Sequence, residues 1–421
     1  MSHQDKLALL KSKIKASKKQ KGGSLADGAA HEQAHRQWSR RGFLKGLGIA
    51  GGMSMVLGKT PISAATPSPF IKALSEAETD RILVLVRLKG GNDGLNMIVP
   101  TFDYGTYSSL RPTIAVPDNN LTALSSEFAI PNYMNPLQSL WQEGQMKVVH
   151  SVGYPNQNLS HFRSSDIWTS ASDANEIVQD GWLGRYLDGN CENCQNPHHA
   201  IEVNDTLSLA LKGNQMSGFA MKNPKQLKNT TRSKIVQAVA KHHHDHEHEE
   251  NVAYLYKTLT NTISSADYIY EKSKIYTSKA AYPKGKLGKE LKQVAELIIS
   301  EADTQIYYVT IGGFDTHNNQ VSQQERLFQG YSEAMSAFVK DLKQNNKWDD
   351  TLVMTFSEFG RRVAENGSRG TDHGAGNNLY LMGGKLKKQG FYNEGPDLAN
   401  LEKGDVKYTV DFRNVYSTIL K

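Results

Sequence analysis

The stretch from residue 305 to residue 356 constrains the fold more than any other part of the chain. Gln305 to Ile311 (QIYYVTI) and Thr351 to Phe356 (TLVMTF) are short runs of β-branched, aliphatic and aromatic residues, which are typical of buried strands. Between them, Gln320 to Gln344 carries apolar residues at helical spacing. A strand, a long helix and a second strand in this order predict a parallel pair joined by a right-handed crossover. We therefore expect an α/β fold.

Other apolar runs extend this pattern toward both ends of the chain. Arg81 to Leu88 (RILVLVRL) and Met146 to Val152 predict two more strands, and Leu379 to Met382 predicts a short one. Residues 213–285 are polar and Lys-rich and are expected to form a helical insertion or cap. The expected architecture is a doubly wound, mainly parallel sheet sandwiched by helices. Further helices are predicted at Asn135–Gly144, at Trp182–Leu187, at 286–302 and after a capping residue, Asp411.

Carboxylate and imidazole side chains follow the predicted strands where each strand ends. Because ligands of open α/β sheets bind beyond the carboxyl ends of the strands, we expect these side chains to share one rim. Clustered acids repel one another unless protons or a cation compensate their charge. A divalent metal ion is the simplest compensation: zinc, manganese or iron for a mixture of carboxylate and imidazole, calcium or magnesium if oxygen ligands dominate. The candidate metal ligands are Asp93, Asp315, His317, Glu358, Asp372 and His373.

Each candidate also has a purely structural interpretation. Asp93 lies in Asn-Asp-Gly, a sequence typical of tight turns. Asp372-His373-Gly374 can form a turn with a hydrogen-bonded imidazole, and Glu358 can pair with Arg361. Ser160 can be the N-cap of a helix that begins at His161.

The amino-terminal region indicates export. Ser39-Arg40-Arg41-Gly42-Phe43-Leu44-Lys45 precedes an apolar, Gly-rich run of about fifteen residues, which is shorter than the roughly twenty needed to span a bilayer. Residues 1–65 are thus predicted to be a cleaved twin-arginine signal peptide, followed by a linker at 66–80. Removing residues 1–65 leaves 37 basic and 40 acidic side chains, so no basic excess remains to attract nucleic acid. We expect a periplasmic or secreted protein whose mature form does not span the membrane.

Two further segments have sequences that can bind metal or form cross-links. Cys191 and Cys194 are spaced C-x-x-C, and in an exported protein a small disulfide loop is favoured over a redox site. A zinc knuckle needs a second pair of ligands, for which His198-His199 is a weak candidate. The run His242–His248 can bind transition metals loosely, although a solvated polar loop is the favoured interpretation.

Six motifs in order carry a family resemblance: GGNDGLN, SHFRSSDIW, GWLGRYLD, GGFDTH, FSEFGRR and GTDHG. They closely resemble a family of twin-arginine-exported bacterial proteins of unknown function, grouped with the alkaline phosphatase and sulfatase superfamily. The resemblance covers residues 80–421. It implies an alkaline-phosphatase-like domain over 81–421 that hydrolyses or transfers phosphate or sulfate esters with a divalent metal ion.

The resemblance also assigns roles to particular residues. Asp93 matches the superfamily's first metal-binding aspartate, Asp315 and His317 resemble its aspartate–histidine pair, and His373 resembles its later lone histidine. Glu358 can replace the usual aspartate of Ser-Asp-His-Gly, but Phe359 cannot replace the histidine. The expected nucleophile is Ser160, or else a bound water. His161 or His373 is expected to shuttle a proton, and Arg361 or Arg163 to stabilise negative charge on the substrate.

Two classes of function remain open at this stage. One is an exported, metal-dependent hydrolase or transferase with a small-molecule or glycan ester as its substrate. The other is a non-catalytic protein of the same fold that binds an anionic glycan or a partner protein. A redox protein that uses Cys191 and Cys194 is a third, less favoured class. The expected partners are the twin-arginine translocase during export and another exported protein.

Overall fold

A computed structural model describes residues 81–189, 197–241 and 250–420. The twin-arginine segment, the linker, Cys191, Cys194 and the His242–His248 run lie outside the described residues. None of the helices in the described part of the chain combines the length and the apolar character that a membrane crossing requires.

The strands form one large mixed sheet and two small ones. The large sheet has the order β13-β5-β12-β9-β1-β8-β6-β7, and β14 also pairs with β5. The small sheets are β2-β4-β3 and β10-β11. The strands are β1 (Ile82–Lys89), β2 (Val99–Pro100), β3 (Leu121–Ala123), β4 (Phe128–Pro131), β5 (Met146–Gly153), β6 (Ala200–Glu202), β7 (Phe219–Ala220), β8 (Ile306–Gly312), β9 (Thr351–Phe356), β10 (Gly360–Arg361), β11 (His373–Gly374), β12 (Asn377–Gly383), β13 (Gly390–Phe391) and β14 (Val410–Asp411).

The central strand β1 lies between β8 and β9 and runs parallel to both. The pairs β6·β8 and β6·β7 are also parallel. Within the described residues of this sheet, only β12 runs antiparallel to its neighbours, β5 and β9. The predicted α/β class and mainly parallel sheet are thus confirmed, and the carboxyl ends of β1, β8, β9 and β5 lie at one edge of the sheet.

Helices cover both faces of the sheet. Successive side chains of a strand point to opposite faces, and in β1 the residues Val84 and Val86 belong to one core while Leu83 and Leu85 belong to the other. Helices α9 and α10 pack on the first face, and α4, α5 and α11 on the second. The helices are α1 (Gly94–Met97), α2 (Tyr104–Leu110), α3 (Gln138–Gln142), α4 (His161–Ser170), α5 (Trp182–Gly189), α6 (Pro224–Thr231), α7 (Lys234–Lys241), α8 (Glu250–Lys272), α9 (Lys286–Ile299), α10 (Gln320–Gln344) and α11 (Phe412–Ile419).

Most predicted elements are confirmed to within two residues. Helix α10 and strand β9 have the predicted bounds, and Asp411 caps α11 by accepting a hydrogen bond from the Arg413 N–H. The predicted helix Asn135–Gly144 is partly wrong. Residues 132–137 form a 3₁₀ segment that contains Pro136, and only Gln138–Gln142 is α-helical, because proline cannot donate the helical hydrogen bond.

Candidate functional site

The carboxyl edge of the large sheet gathers side chains from four loops. Asp315 and His317 follow β8, and Glu358 follows β9. The chain leaving β5 re-enters the site at His161, the first residue of α4, and His373 lies in β11. Four segments that are distant in sequence thus place an acid or an imidazole at one rim, which we name the Asp315 cluster.

Asp315 is the point on which three imidazoles converge. His317 Nε2 lies 3.0 Å and His373 Nε2 lies 3.2 Å from its Oδ1. His161 Nε2 lies 3.3 Å from its Oδ2. The Nε2 atoms of His317 and His373 are themselves 3.0 Å apart. The side chain of Asp315 is 36% exposed, so that the centre of the cluster is open to solvent.

The other ring nitrogen of each imidazole faces an oxygen acceptor. His161 Nδ1 lies 3.0 Å from Glu358 Oε1, His317 Nδ1 lies 3.2 Å from Asp372 Oδ1, and His373 Nδ1 lies 2.8 Å from the Leu159 carbonyl oxygen. A carbonyl or an ionised carboxylate can only accept, so each Nδ1 carries the proton. In a neutral imidazole the lone pair is then on Nε2, the atom that faces Asp315. Metal-ligating histidines are fixed in this same way by acceptors behind the ring.

The centre of this arrangement would be stabilised by a positive charge. Two nitrogen lone pairs at 3.0 Å repel one another unless a proton or a metal ion lies between them. One donor atom from each of His161, Asp315 and His373 lies within 4.8 Å of the others, so these residues could hold a metal ion. Imidazole nitrogens with a carboxylate suit zinc, manganese or iron better than calcium or magnesium.

Glu358 holds His161 in place rather than facing the centre of the cluster. It is fully buried, and its Oε1 accepts hydrogen bonds from His161 and from the Gly90 N–H at 2.9 Å. Its Oε2 lies 3.4 Å from Arg87 Nη2. Gly90 has φ +126°, and a Cβ there would lie 2.4 Å from the Asp315 backbone nitrogen, so this approach of two loops requires glycine. Glu358 was predicted to be a direct metal ligand, whereas its contacts place it behind His161 as a positioning residue.

Asp372 likewise acts through a histidine. Its Oδ1 accepts from His317 and, at 3.2 Å, from Asn366 Nδ2. The ring of Phe359 contacts His161 and His373 with centroid distances of 4.8 and 4.5 Å. Apolar packing thus steadies these two imidazoles.

Arg361 is bonded entirely within the protein. Its side chain has no exposed surface and donates to Asp315 Oδ1 at 2.7 Å. The guanidinium also donates to four backbone carbonyl oxygens, those of Gly90, Gly91, Phe314 and Thr371. These acceptors engage all three nitrogens of the guanidinium group. The contacts place Arg361 as a clamp that joins three loops to Asp315, whereas a direct contact to the substrate was expected.

Asp93 forms a separate buried centre. Its Oδ2 lies 2.7 Å from Arg111 Nη1 and accepts from Gln320 Nε2 at 2.7 Å. Its Oδ1 accepts the Leu95 N–H and caps α1. The carboxylate is 1% exposed and its charge is balanced by Arg111. These contacts separate Asp93 from the Asp315 cluster, where it was predicted to be a metal ligand, and they agree with a structural role in the turn after β1, where it also caps α1.

The remaining predicted residues lie beside the cluster. Ser160 is exposed at the N-cap position of α4, one residue before His161, and makes no side-chain cap hydrogen bond. Arg163 points elsewhere, since its Nη2 donates to the carbonyl oxygens of Asp173, Ala174 and Glu176. The expected contact of Arg163 with substrate is therefore not supported by the structure.

Sequence reasoning missed Arg87. It lies within β1, among the aliphatic residues of a buried strand. In the fold it is 9% exposed and contacts Glu358 and Ser165. An arginine in an otherwise apolar strand is the one signal that indicated a buried acid elsewhere in the sequence.

The pKa shifts follow from these contacts. Burial would raise the pKa of Asp315, but hydrogen bonds with the three imidazoles and the charge of Arg361 hold that pKa well below its ordinary value. Burial opposes protonation of His161, yet its contacts with Asp315 and Glu358 raise its pKa. Burial lowers the pKa of His373, and the charges of Arg361 and His161 add to that effect. His373 therefore favours the neutral form that a metal ion requires.

The buried Glu358 carboxylate makes stability depend on pH. Burial would raise its pKa, but the charge of Arg87 and the bond to His161 lower that pKa from 4.5 to about 2. The contribution to the free energy of unfolding is therefore complete above pH 4.5 and is lost as the pH falls toward 2. Urea unfolding should show a stability gap between wild type and Glu358→Gln that narrows over this range by on the order of 3 kcal/mol. A gap that stays constant down to pH 3 would contradict this account of Glu358.

Solved structures with a similar backbone include three proteins at low sequence identity. The lipoteichoic acid synthase LtaP from Listeria monocytogenes is 10% identical with a TM-score of 0.34, over 87% of this chain and 80% of that chain. A Mg-bound mutant of TAB5 alkaline phosphatase is 11% identical with a TM-score of 0.32, over 74% and 94%. Ps i-CgsB in complex with k-i-k-neocarrahexaose is 10% identical with a TM-score of 0.31, over 80% and 76%.

A search among curated proteins found no match. Residues 146–421 match a family described as a protein of unknown function, DUF1501. Five of the six motifs, from SHFRSSDIW to GTDHG, lie within this range. Since the match covers more than half of the chain, the protein belongs to the DUF1501 family.

Proposed function

We propose that this protein is a metal-dependent hydrolase or transferase of phosphate or sulfate esters that works outside the cytoplasm. One observation carries the proposal: three imidazoles, each with Nδ1 bound to an acceptor, direct Nε2 at a single carboxylate that is open to solvent. His161, His317, His373 and Asp315 would hold the ion. When bound, a divalent ion lowers the pKa of a coordinated water or hydroxyl and withdraws charge from an ester oxygen.

The charge of the site supports an anionic substrate. With neutral imidazoles, the carboxylates of Asp315, Glu358 and Asp372 exceed the guanidinium groups of Arg87 and Arg361 by one charge. A divalent ion reverses the sign of this local excess. The amino terminus of α4 lies at the same place, and the helix dipole there favours negative charge. A phosphate or sulfate group would thus meet a positive, partly exposed centre.

The residues of the chain divide the remaining tasks. Ser160, exposed beside His161, would supply the attacking hydroxyl, unless a water takes this part. Glu358 and Asp372 keep the protons of His161 and His317 on Nδ1. Arg361 fixes Asp315 and the loops that follow β1 and β8. The proposal also includes a small molecule or a glycan as the group that carries the ester, and a second exported protein as a partner.

Removing metal is expected to abolish turnover. The assay is a panel of aryl phosphates, aryl phosphodiesters and aryl sulfates, before and after treatment with a chelator and after addition of zinc or manganese. Turnover should return with one of these ions but not with calcium, because imidazole donors dominate. His373→Ala, which removes one donor, should lower kcat/KM by at least about 10²-fold, as expected for several kcal/mol of lost charge stabilisation.

Two further results decide between the open alternatives. Ser160→Ala should keep the metal and lose turnover if the serine attacks, and should keep both if a water attacks. Tightly bound metal without turnover on every ester of the panel would instead favour a non-catalytic protein that binds an anionic glycan or a partner. Turnover by fully metal-free protein would end the proposal.

In cell fractionation, replacing Arg40 and Arg41 with lysine should keep the activity in the cytoplasm.

A further inference from the structure

A second group of metal-type ligands lies at the opposite edge of the large sheet. His198 and His199 immediately precede β6, and Asp303 lies shortly before β8. Because these strands are parallel, this is the amino edge, away from the Asp315 cluster. His199 Nε2 is 3.0 Å from Asp303 Oδ2, and one donor atom from each of the three residues lies within 4.8 Å of the others.

The backbone holds this group rigidly. The His198 carbonyl accepts from Thr304 Oγ1 at 2.6 Å, and the His199 carbonyl accepts from the Gln305 N–H at 3.0 Å. These two bonds tie the chain before β6 to the chain before β8. The three side chains are thus positioned by paired strands and not by a free loop, which is the support that a binding site needs.

Helix α8 of the insertion orients the imidazole of His198. Its Nδ1 lies 3.0 Å from Ser265 Oγ, and its ring lies 4.5 Å from the Tyr268 ring. The Tyr268 hydroxyl accepts the N–H of Asp303 at 2.9 Å. With Nδ1 occupied by the serine, Nε2 is the nitrogen left for a ligand.

We propose that His198, His199 and Asp303 form a second site for a zinc-class transition-metal ion at the amino edge of the sheet, where the helical insertion orients one of the ligands. Two imidazoles and one carboxylate prefer zinc or copper to calcium or magnesium. The carboxylate of Asp303 is 59% exposed and the His199 side chain 31%, so an ion can enter from solvent and keep a water ligand. Ser265 is the positioning residue. The site is independent of the proposed catalysis at the Asp315 cluster.

The test is calorimetric titration of the chelator-treated, full-length chain with zinc. The histidines at 242, 243, 244, 246 and 248 are first replaced with asparagine, so that loose binding by that run does not contribute. His199→Ala and Asp303→Ala should each lose one zinc equivalent, while the equivalent that depends on His373 remains. The matched control is Glu301→Ala, which removes a carboxylate that is 74% exposed two residues away and should retain both equivalents.

Ser265 provides a readout that does not depend on removing a ligand. Ser265→Ala should weaken zinc binding at this site by about tenfold, and Ser265→Thr should restore it, as for other groups behind a metal-bound histidine. In a His373→Ala background, zinc should raise the unfolding temperature, and Asp303→Asn should abolish that rise. Equal zinc stoichiometry in Asp303→Ala and Glu301→Ala would overturn the proposal, as would an unchanged zinc affinity in Ser265→Ala.

Discussion

Asp315→Ala is expected to abolish tight metal binding and to lower kcat/KM on the best ester of the panel by about 10³-fold or more. The carboxylate is the group on which His161, His317 and His373 converge, at 3.0 to 3.3 Å. Without it, three imidazoles and a buried guanidinium have no anion between them, and their mutual repulsion opposes the approach of a cation. Elemental analysis of purified protein and steady-state kinetics measure the two effects.

Asp350→Ala is the matched control for this change. Asp350 pairs with Lys385 at 3.2 Å on the surface, and its side chain is 50% exposed, so its loss should leave metal content and turnover unchanged. Asp315→Asn separates charge from shape, because the amide keeps the volume but removes the negative charge. Stoichiometric metal and wild-type turnover in both Asp315 variants would contradict the assignment of the cluster.

Arg361→Ala should produce the largest loss of stability among single changes at the site, about 3–5 kcal/mol in the free energy of unfolding. The change leaves Asp315 without its arginine and removes the donor from four buried carbonyl oxygens. Arg361→Lys should recover little, because an ammonium group on a flexible stem cannot reproduce five N–H donors in a planar fork. Equilibrium unfolding in urea, followed by circular dichroism, gives the free energies.

The neighbouring arginine is a close control. Arg362 has a side chain that is 47% exposed, and its only ion pair within the described residues is a long one, 3.7 Å to the mostly buried Asp405, so Arg362→Ala should cost clearly less than Arg361→Ala. Similar losses in the two alanine variants would show that the buried clamp adds no more stability than a half-exposed arginine. A stable Arg361→Ala protein with normal metal content would contradict the role of Arg361 in holding the three loops and Asp315 in place.

Much of the site was predictable because the functional side chains of a parallel sheet lie beyond the carboxyl ends of its strands. Asp315 and His317 directly follow one buried strand, and His373 comes shortly after the next, so the rim argument placed all three at this edge of the sheet. His161 was also expected at the site, although as a proton shuttle. The same argument misplaced Asp93, because a loop after the central strand can turn into the protein as well as toward the ligand, and the charge of Arg111 holds it inside.

The division of roles among the remaining residues depends on three-dimensional contacts. Arg361 was expected to face a substrate, but the backbone carbonyls of three loops surround it and engage all three of its side-chain nitrogens. Glu358 was expected to face a metal ion, but Arg87 and the Gly90 N–H hold it behind His161. Sequence distance says nothing about which acid becomes a ligand and which supports one, because that depends on ångström-scale distances between loops.

The sequence by itself determined the α/β class, the central strands, the long helix α10 and the rim at which the chemistry lies. Hydrophobic periodicity specifies these features locally. A strand that is buried on both faces requires a continuous apolar run, and a helix that is buried on one side requires apolar residues at helical spacing. The antiparallel direction of β12, the pairing of Arg87 with Glu358 and the convergence of three Nε2 atoms on Asp315 were decided only by the tertiary structure. Most of the contacts that create those features join residues about 25 to 270 positions apart, and their geometry exists only once the whole sheet has assembled.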